Sequence, residues 1–151
     1  MTDQPDIFTT VHKGIRNALF DLCVRIGKTE MTNQEKWLEL QTRARAVLRF
    51  VERHGENEDM FLLPLIEARA PEYHKRMRTA HRELDDPTEA LRHAIESDPE
   101  RLYEAACYFT ARYLDHMHEE ETDHLPVLQI HLSPAELGEF NRSAVARSAP
   151  T

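Results

Sequence analysis

HGENEDMFLLP, from His54 to Pro64, and HMHEEETDHLP, from His116 to Pro126, are two stretches of the chain that align without a gap. They share a histidine at the first position, a glutamate four residues later, and a leucine followed by a proline at the end. Side chains four residues apart lie about one turn apart on the same face of a helix. The duplication therefore predicts two helices that each direct a histidine and a glutamate at a common centre.

Length and composition predict one soluble globular domain. The 151 residues are enough for a single core, and 40% hydrophobic with 30% charged residues is typical of a globular protein. No apolar run approaches the roughly 20 residues that a membrane-spanning helix needs. The beginning of the chain also lacks the basic start and apolar stretch of a secretory signal. We therefore expect a cytoplasmic protein that does not bind a membrane.

The net charge and the cysteines exclude further classes of function. A net charge of -8 opposes binding to a phosphate backbone, so nucleic acid is not an expected partner. The two cysteines, Cys23 and Cys107, lie far apart in the sequence and outside any C-x-x-C pattern. This spacing supports neither a disulfide framework nor a thiolate zinc site, and we expect both to be reduced, structural thiols.

Apolar residues recur with the period of an α-helix in four long segments. The first segment runs from about Thr10 to Gly27, where the glycine is expected to end the helix. The boundaries of the other three are set by caps and prolines: Asn33 caps the second and Pro64 kinks or closes it, Pro71 opens the third and Pro87 bends or splits it, and Asp98 caps and Pro99 opens the fourth. A short last helix begins at a capping box of Ser133 and Glu136 and is expected to fray after Asn141.

These segments define the fold class. No stretch alternates convincingly at period two, so the class is all-α. Four long helices with short connections predict an up-down-up-down four-helix bundle, followed by a short C-terminal helix. We expect residues 1–142 to form this domain and residues 143–151 to form a flexible tail.

Histidines from all four helices fall at one level of this bundle. Each residue of a helix advances about 1.5 Å along its axis. His81 lies 16 residues before Ser97, near the turn between the third and fourth helices, and His116 lies 17 residues after Pro99, so the two return to nearly the same level. The candidate ligands that converge on this layer are His12, His54, Glu58, His81, His116 and Glu120.

Six ionisable groups in one buried layer cannot all be satisfied by pairing with one another. Metal ions supply the missing charge, and the set can hold two ions, each with two imidazoles and a share of both glutamates as bridges. With one oxo or hydroxo bridge added, each ion would have five ligands and one open position. Nitrogen and oxygen donors without thiolate suit non-haem iron, with manganese or zinc as alternatives.

The two duplicated units, with one histidine in each of the other helices, resemble the hemerythrin-like (HHE) cation-binding domain over roughly Phe8 to Leu128. The resemblance implies a four-helix bundle around a non-haem di-iron centre that reacts with or senses O2, nitric oxide or peroxide. Oxygen-carrying hemerythrins have a fifth histidine four residues from the ligand of the third helix, whereas this chain has Met77 and Asp85 on either side of His81. The set of four histidines and two glutamates is similar instead to bacterial proteins linked to nitric oxide and oxidative stress, including the repair-of-iron-centres proteins.

Other polar residues near the layer are expected to stay outside it. At 100° per residue His118 faces solvent. His124 lies about 80° off the His116 line, either at the rim or just behind the ligands, and ligation by His124 is the less favoured alternative. His74 lies about two turns, or roughly 10 Å, from His81 along the helix, which is too far for both to bind the same ion. His93 and His131 fall off the layer and are expected at the surface, and three glutamates are expected to stay in water: Glu56, Glu119 and Glu121. Tyr113 either packs in the core or donates a hydrogen bond near the centre.

Two classes of function fit these features. In the first, the centre does redox chemistry with a small diatomic molecule or peroxide, in oxidative or nitrosative stress or in the handling of iron centres. In the second, the domain is a metal-dependent sensor or an iron reservoir without turnover. A reversible oxygen carrier is a third interpretation, which the missing fifth histidine disfavours.

Overall fold

The structure is a computed structural model that describes residues 4–148 as a set of packed helices. In chain order the helices are α1 (Thr9–Lys28), α2 (Gln34–Phe61), α3 (Leu63–Arg69), α4 (Pro71–Arg82), α5 (Asp85–Ser97), α6 (Leu102–Glu119), α7 (Leu125–His131) and α8 (Pro134–Ser148). A 3-10 turn (Pro99–Arg101) precedes α6, and a π-helical turn (Glu120–His124) joins α6 to α7. Residues 4–148 contain no strand and no helix long and apolar enough to cross a membrane.

Four columns of helix form the bundle. The first column is α1, the second is α2 continued by α3, the third is α4 continued by α5, and the fourth is α6 continued by α7. Both α1 and α5 pack against α2 and against α6, so each long column has two neighbours. The last helix, α8, packs across α2. This arrangement confirms the predicted all-α bundle with an added C-terminal helix.

Prolines explain where the second and third columns break. α2 ends at Phe61 and Pro64 is in the first turn of α3, while α4 ends at Arg82 and Pro87 is in the first turn of α5. Proline has no N–H group and its ring clashes with the carbonyl four residues earlier, so it fits only the first turn of a helix without distortion. Each column therefore breaks just before its proline. Of the predicted alternatives, Pro64 closes the second helix and Pro87 splits the third.

Gly27 does not end the first helix, contrary to the prediction. α1 continues to Lys28, and Gly27 does not adopt the left-handed conformation of a terminating glycine. A β-carbon at Gly27 would lie 3.1 Å from the ring of Tyr103 on α6. The glycine therefore allows α1 and α6 to approach closely, and its role belongs to packing rather than to helix termination.

The last helix begins at the predicted capping box. The hydroxyl of Ser133 accepts a hydrogen bond from the backbone N–H of Glu136 at 3.2 Å, and Glu136 Oε2 accepts one from the N–H of Ser133 at 2.8 Å. Arg69 of α3 donates to the same Glu136 carboxylate at 2.7 Å. The start of α8 is therefore both capped and fastened to the second column.

α8 continues past Asn141 to Ser148, beyond residue 142, where the domain is predicted to end. Near its end, Arg147 donates to Asn57 Oδ1 of α2 at 2.9 Å and to Glu56 Oε2 at 2.8 Å. These contacts hold the C-terminal turns of α8 on the bundle. The last part of the expected tail, residues 149–151, lies outside the described residues.

The core consists of two apolar clusters with a polar layer between them. The upper cluster includes Ile15, Leu19, Leu22, Leu48, Val51, Leu91, Phe109 and Met117. The lower cluster includes Ile7, Phe8, Leu62, Ile66, Met77, Leu128, Leu137 and Phe140. Along the first column Phe8 belongs to the lower cluster and Ile15 to the upper one, so His12 lies where the two meet.

Candidate metal centre

The six candidate ligands lie together in the polar layer. They come from all four columns: His12 from α1, His54 and Glu58 from α2, His81 from α4, His116 from α6, and Glu120 from the π-helical turn. Five of the side chains are buried, and the sixth, His81, is 15% exposed. The structure thus assembles from distant parts of the chain the residues that the helical arithmetic assigned to one level.

Glu120 lies in the middle of the layer and faces both halves of it. Its Oε2 is 3.0 Å from His12 Nε2 and 3.9 Å from His54 Nε2. Its Oε1 is 2.8 Å from His116 Nε2 and 3.8 Å from His81 Nε2. One carboxylate therefore presents a different oxygen to each of two histidine pairs.

Glu58 spans the same two halves from α2. Its Oε1 is 3.4 Å from His54 Nε2, and its Oε2 is 3.3 Å from His81 Nε2. Two groups of donor atoms result, within each of which all atoms lie within 4.8 Å of one another: Glu58, His81, His116 and Glu120 in one, and His12, His54 and Glu120 in the other. Such groups have the composition and the closeness of metal sites.

The carboxylates of the layer lack ordinary hydrogen-bond partners. Both oxygens of Glu58, both oxygens of Glu120 and the Nε2 of His81 are buried and make no hydrogen bond within residues 4–148. Imidazole nitrogens approach these oxygens, but without the alignment that a hydrogen bond requires. Buried carboxylates without partners are costly, and a cation bound among them would satisfy all four oxygens. The donor set therefore fits a metal ion.

Glu121 orients His12 by contacting Nδ1, the ring nitrogen on the side away from Glu120. His12 Nδ1 lies 2.8 Å from Glu121 Oε1, and Arg16 donates to the two oxygens of the same carboxylate at 2.8 and 3.1 Å. A proton on Nδ1 shared with Glu121 leaves Nε2 with the lone pair that a metal ligand needs. The prediction that Glu121 stays in water is wrong, because its side chain is only 26% exposed and is fully engaged.

Asp59 orients His81 in the same way, and sequence reasoning did not single it out. His81 Nδ1 lies 2.9 Å from Asp59 Oδ1, while its Nε2 faces the carboxylates of the layer. Asp59 follows Glu58 directly in the chain, just as Glu121 follows Glu120. An acidic residue after each glutamate of the duplicated units was the signal that could have identified both positioning residues.

The charges of the layer shift several pKa values. Burial would lower the pKa of His54, but the carboxylates of Glu58 and Glu120 outweigh it and raise this pKa. Burial is outweighed in the same way at His81, where Asp59, Glu120 and Glu58 raise the pKa to about 12. Burial would raise the pKa of Glu120, yet the facing histidines hold it well below its ordinary value. The layer thus keeps its central carboxylate ionised and attracts positive charge.

The π-helical turn rotates His124 into the core. Continued at 100° per residue, the helix would place His124 about 80° from the His116 line. A π-helical turn advances only about 80° per residue, because its hydrogen bonds span five residues, and it removes most of that offset. His124 is fully buried, so the predicted position at the rim is wrong.

His124 has no hydrogen-bond partner at either ring nitrogen among the residues that the structure describes. Its Nε2 lies 3.5 Å from Glu119 Oε1, and its ring packs edge-on against Tyr73 with the centroids 5.6 Å apart. Burial lowers the pKa of His124, which favours the neutral ring. In the duplicated pattern His124 aligns with Leu62, which is also fully buried, so this position of the fold suits an apolar side chain.

The remaining residues singled out from the sequence lie away from the two donor groups. Besides His124, four histidines belong to neither group: His74, His93, His118 and His131. His118 and His93 are exposed, as expected. Met77 is buried in the lower cluster and Asp85 is exposed, so neither position four residues from His81 adds a donor to the centre.

A cavity of about 660 Å³ leads from the surface to one side of the layer. It is bounded by α2, α5 and α6, and its wall includes both His81 and His116. Asp59 and Asp85 lie on the same wall and give the opening an acidic character. A molecule of a few atoms can therefore approach the histidines of this half of the layer.

Tyr113 lines the same cavity beside His116, with the ring centroids 5.6 Å apart. The side chain is buried, and burial together with the charges of Glu120 and Glu58 raises the pKa of Tyr113 well above its usual value. Its hydroxyl consequently stays protonated and can donate a hydrogen bond. The structure thus shows Tyr113 packed in the core beside His116, with a protonated hydroxyl.

Fold and site together define a helical bundle with a buried layer of metal-binding side chains. Residues 4–128 match the family model of the hemerythrin HHE cation-binding domain. The chain therefore belongs to this family, as the duplicated units indicated. A comparison with curated proteins gives no match. Because the family is one of cation-binding domains, the orphaned donors of the layer have a direct explanation in metal binding.

Proposed function

We propose that the protein is a non-haem di-iron protein. The residues that would hold the ions are His12 and His54 for one, His81 and His116 for the other, and the shared glutamates Glu58 and Glu120. The observation that carries the proposal is the orientation of Glu120, whose two oxygens face different histidine pairs. Nitrogen and oxygen donors without thiolate suit iron, and manganese and zinc are the alternatives that a metal analysis distinguishes.

When bound, the two irons would supply one-electron redox chemistry at positions open to a small ligand. The side chains around them control access to that chemistry. Phe8 of the lower cluster stacks on His12 with the centroids 5.1 Å apart, and Leu137 and Phe140 of α8 close this cluster, which keeps water from the His12 end. The cavity beside His81 provides the route for a small molecule.

The proposed ligands are O2, nitric oxide or peroxide, and the proposed setting is oxidative or nitrosative stress or the handling of iron centres. Support comes from the surroundings of His81, since Met77 is buried in the lower cluster and Asp85 is exposed. Without a further protein donor there, the centre would keep exchangeable positions on both sides. Such a centre favours irreversible oxidation over reversible oxygen storage, and the Tyr113 hydroxyl supplies a hydrogen bond to a ligand in the cavity.

Reaction of the reduced, iron-loaded protein with oxygen tests the proposal. We expect about two irons per chain by metal analysis, rapid and irreversible oxidation in stopped-flow absorbance, and binding of nitric oxide by the reduced form. A protein that takes up no iron would refute the proposed centre. Reversible uptake of oxygen, with full return to the reduced state on deoxygenation, would replace the proposal by an oxygen carrier.

Peroxide consumption separates the two classes of function. A protein that reacts with peroxide as a substrate removes many equivalents per chain, whereas a sensor or an iron reservoir is oxidised once and then stops. The matched control is the exposed-histidine variant His118→Ala, which should behave as the parent chain. The ligand variant His54→Ala should lose consumption and iron together.

A further inference from the structure

The packing of α1 against α6 brings together two cysteines that are distant in the sequence. Gly27 lies opposite Tyr103 at one end of this contact between helices, and Arg16 binds Glu121 at the other end. Between these ends the Sγ of Cys23 lies 3.3 Å from the hydroxyl oxygen of Thr110. The two helices are therefore antiparallel neighbours, and Cys23 faces α6 directly.

Cys107 completes this contact from α6. It lies four residues after Tyr103 and three before Thr110, so all three side chains share one face of the helix. Because the helices are antiparallel, the register that places Gly27 against Tyr103 also places Cys23, one turn earlier on α1, at the level of Cys107, one turn later on α6. Both cysteines are half-buried and unpaired, which leaves them within reach of a small oxidant. The close approach of the helices at Gly27 shortens the distance that a bond between them must span.

We propose that Cys23 and Cys107 are a redox-active dithiol that hydrogen peroxide converts to an intramolecular disulfide. One thiolate attacks a peroxide oxygen and the O–O bond breaks, which gives a sulfenic acid and hydroxide that becomes water with the proton of the thiol. The second sulfur attacks the sulfenic sulfur, the S–S bond forms, the S–O bond breaks and another water leaves. The two thiols lose two protons and two electrons in total, and peroxide is reduced to two waters.

This dithiol is separate from the metal centre but joins the helices that carry it. α1 carries His12, and α6 carries His116 and leads into Glu120. A bond between Cys23 and Cys107 would clamp these helices together and limit their separation in the unfolded state, so the oxidised chain should melt at a higher temperature. Burial raises the pKa of the Cys23 thiol, which favours slow closure under sustained oxidant over the rapid reaction of a dedicated peroxidase.

Alkylation and mass spectrometry of the full chain test the proposal. The purified protein, with its metal and after chelation, is treated with hydrogen peroxide at a pH of about 8.5, quenched with catalase and alkylated with iodoacetamide. We expect a mass decrease of about 2 Da, protection of both thiols, and a peptide that links Cys23 to Cys107. Dithiothreitol should restore two alkylated thiols and the original melting temperature.

The variants Cys23→Ser and Cys107→Ser provide matched controls, and neither should form the link or gain thermal stability on oxidation. The decisive mapping is done on the unaltered chain, so a poorly folded variant does not remove the test. Two thiols that remain alkylated, or that oxidise independently to sulfinic acids, would overturn the proposal. A link that forms only with metal present would overturn the direct reaction with peroxide, whereas a link without any iron uptake would stand even if the di-iron proposal fails.

Discussion

Glu120 is the residue on which the two halves of the layer depend. It is fully buried, and each of its oxygens faces a different pair of imidazoles. Burying this carboxylate without a bound cation would cost free energy, because hydrogen bonds do not offset its desolvation. The surrounding histidines lower its pKa, so it remains available as an anion to a bound cation.

Substitutions in the layer should therefore separate ligands from other histidines. We expect His54→Ala and Glu120→Ala to lose bound metal, because each removes a donor from the groups of close ligand atoms. His118→Ala and His93→Ala change exposed side chains and should retain it. Metal per chain after desalting measures the difference. Loss of metal from His118→Ala as complete as that from His54→Ala would contradict the site.

Glu121 offers a finer test, because it touches a candidate ligand without belonging to the donor groups. We expect Glu121→Gln to weaken metal affinity by about 10- to 100-fold, since the amide orients His12 less firmly than the carboxylate bound at 2.8 Å. Competition with a chelator gives the affinity. Glu104→Gln, at an exposed glutamate on the same column, is the matched control. Equal affinities for the two variants would show that Glu121 does not position His12.

His124 is a buried imidazole in a position that its counterpart Leu62 fills with an apolar side chain. We expect His124→Leu to raise the free energy of unfolding by about 1 kcal/mol, because two unsatisfied buried nitrogens are removed. Metal content should not change. Denaturant unfolding and metal analysis measure the two quantities, and loss of metal would show that His124 is a ligand after all.

At the scale of elements, the Leu-Pro pair that ends each duplicated unit opens a new helix, so the second and fourth columns both break just after their ligands. Pro64 lies in the first turn of α3 and Pro126 in the first turn of α7. The breaks let α3 and α7 turn into the lower cluster, which closes the layer from that side. In the fourth column the break is preceded by the π-helical turn, which has no counterpart in the second column.

The start of α8 provides a prediction at this scale. We expect Ser133→Ala to lower the free energy of unfolding by about 1 kcal/mol, because it removes the side-chain acceptor for the N–H of Glu136. Chemical denaturation followed by circular dichroism measures the change. The control Ser143→Ala, inside the same helix, should be neutral or stabilising because alanine favours helical backbone. A Ser133→Ala variant as stable as the parent chain would contradict the capping role.

For the whole molecule, the layer links metal binding to stability. Donors from all four columns meet at one level, so an ion bound there holds the columns together. A ligand that binds only the folded state at 1,000 times its dissociation constant stabilises it by about 4 kcal/mol. We expect chelation to lower the melting temperature measured by calorimetry, and readdition of iron to restore it. Identical melting with and without metal would refute a centre shared by the bundle.

The sequence by itself determined the helical class, the boundaries set by Asn33, Pro71 and Ser133, and the level at which six candidate ligands meet. Helical period and capping are local properties, and a regular rise per residue converts sequence spacing into height in an antiparallel bundle. The duplicated units added the pairing of histidine with glutamate. These features need only neighbouring residues and a count along the chain.

Only the tertiary structure decided which atoms face one another. The partnership of Glu121 with His12, the contact of Cys23 with α6, and the close packing at Gly27 each join residues from different columns, and helical period carries no information about them. The π-helical turn was also hidden, because it departs from the regular rotation on which the position of His124 was predicted. Side-chain contacts between columns depend on how the helices pack, and packing is a property of the assembled core.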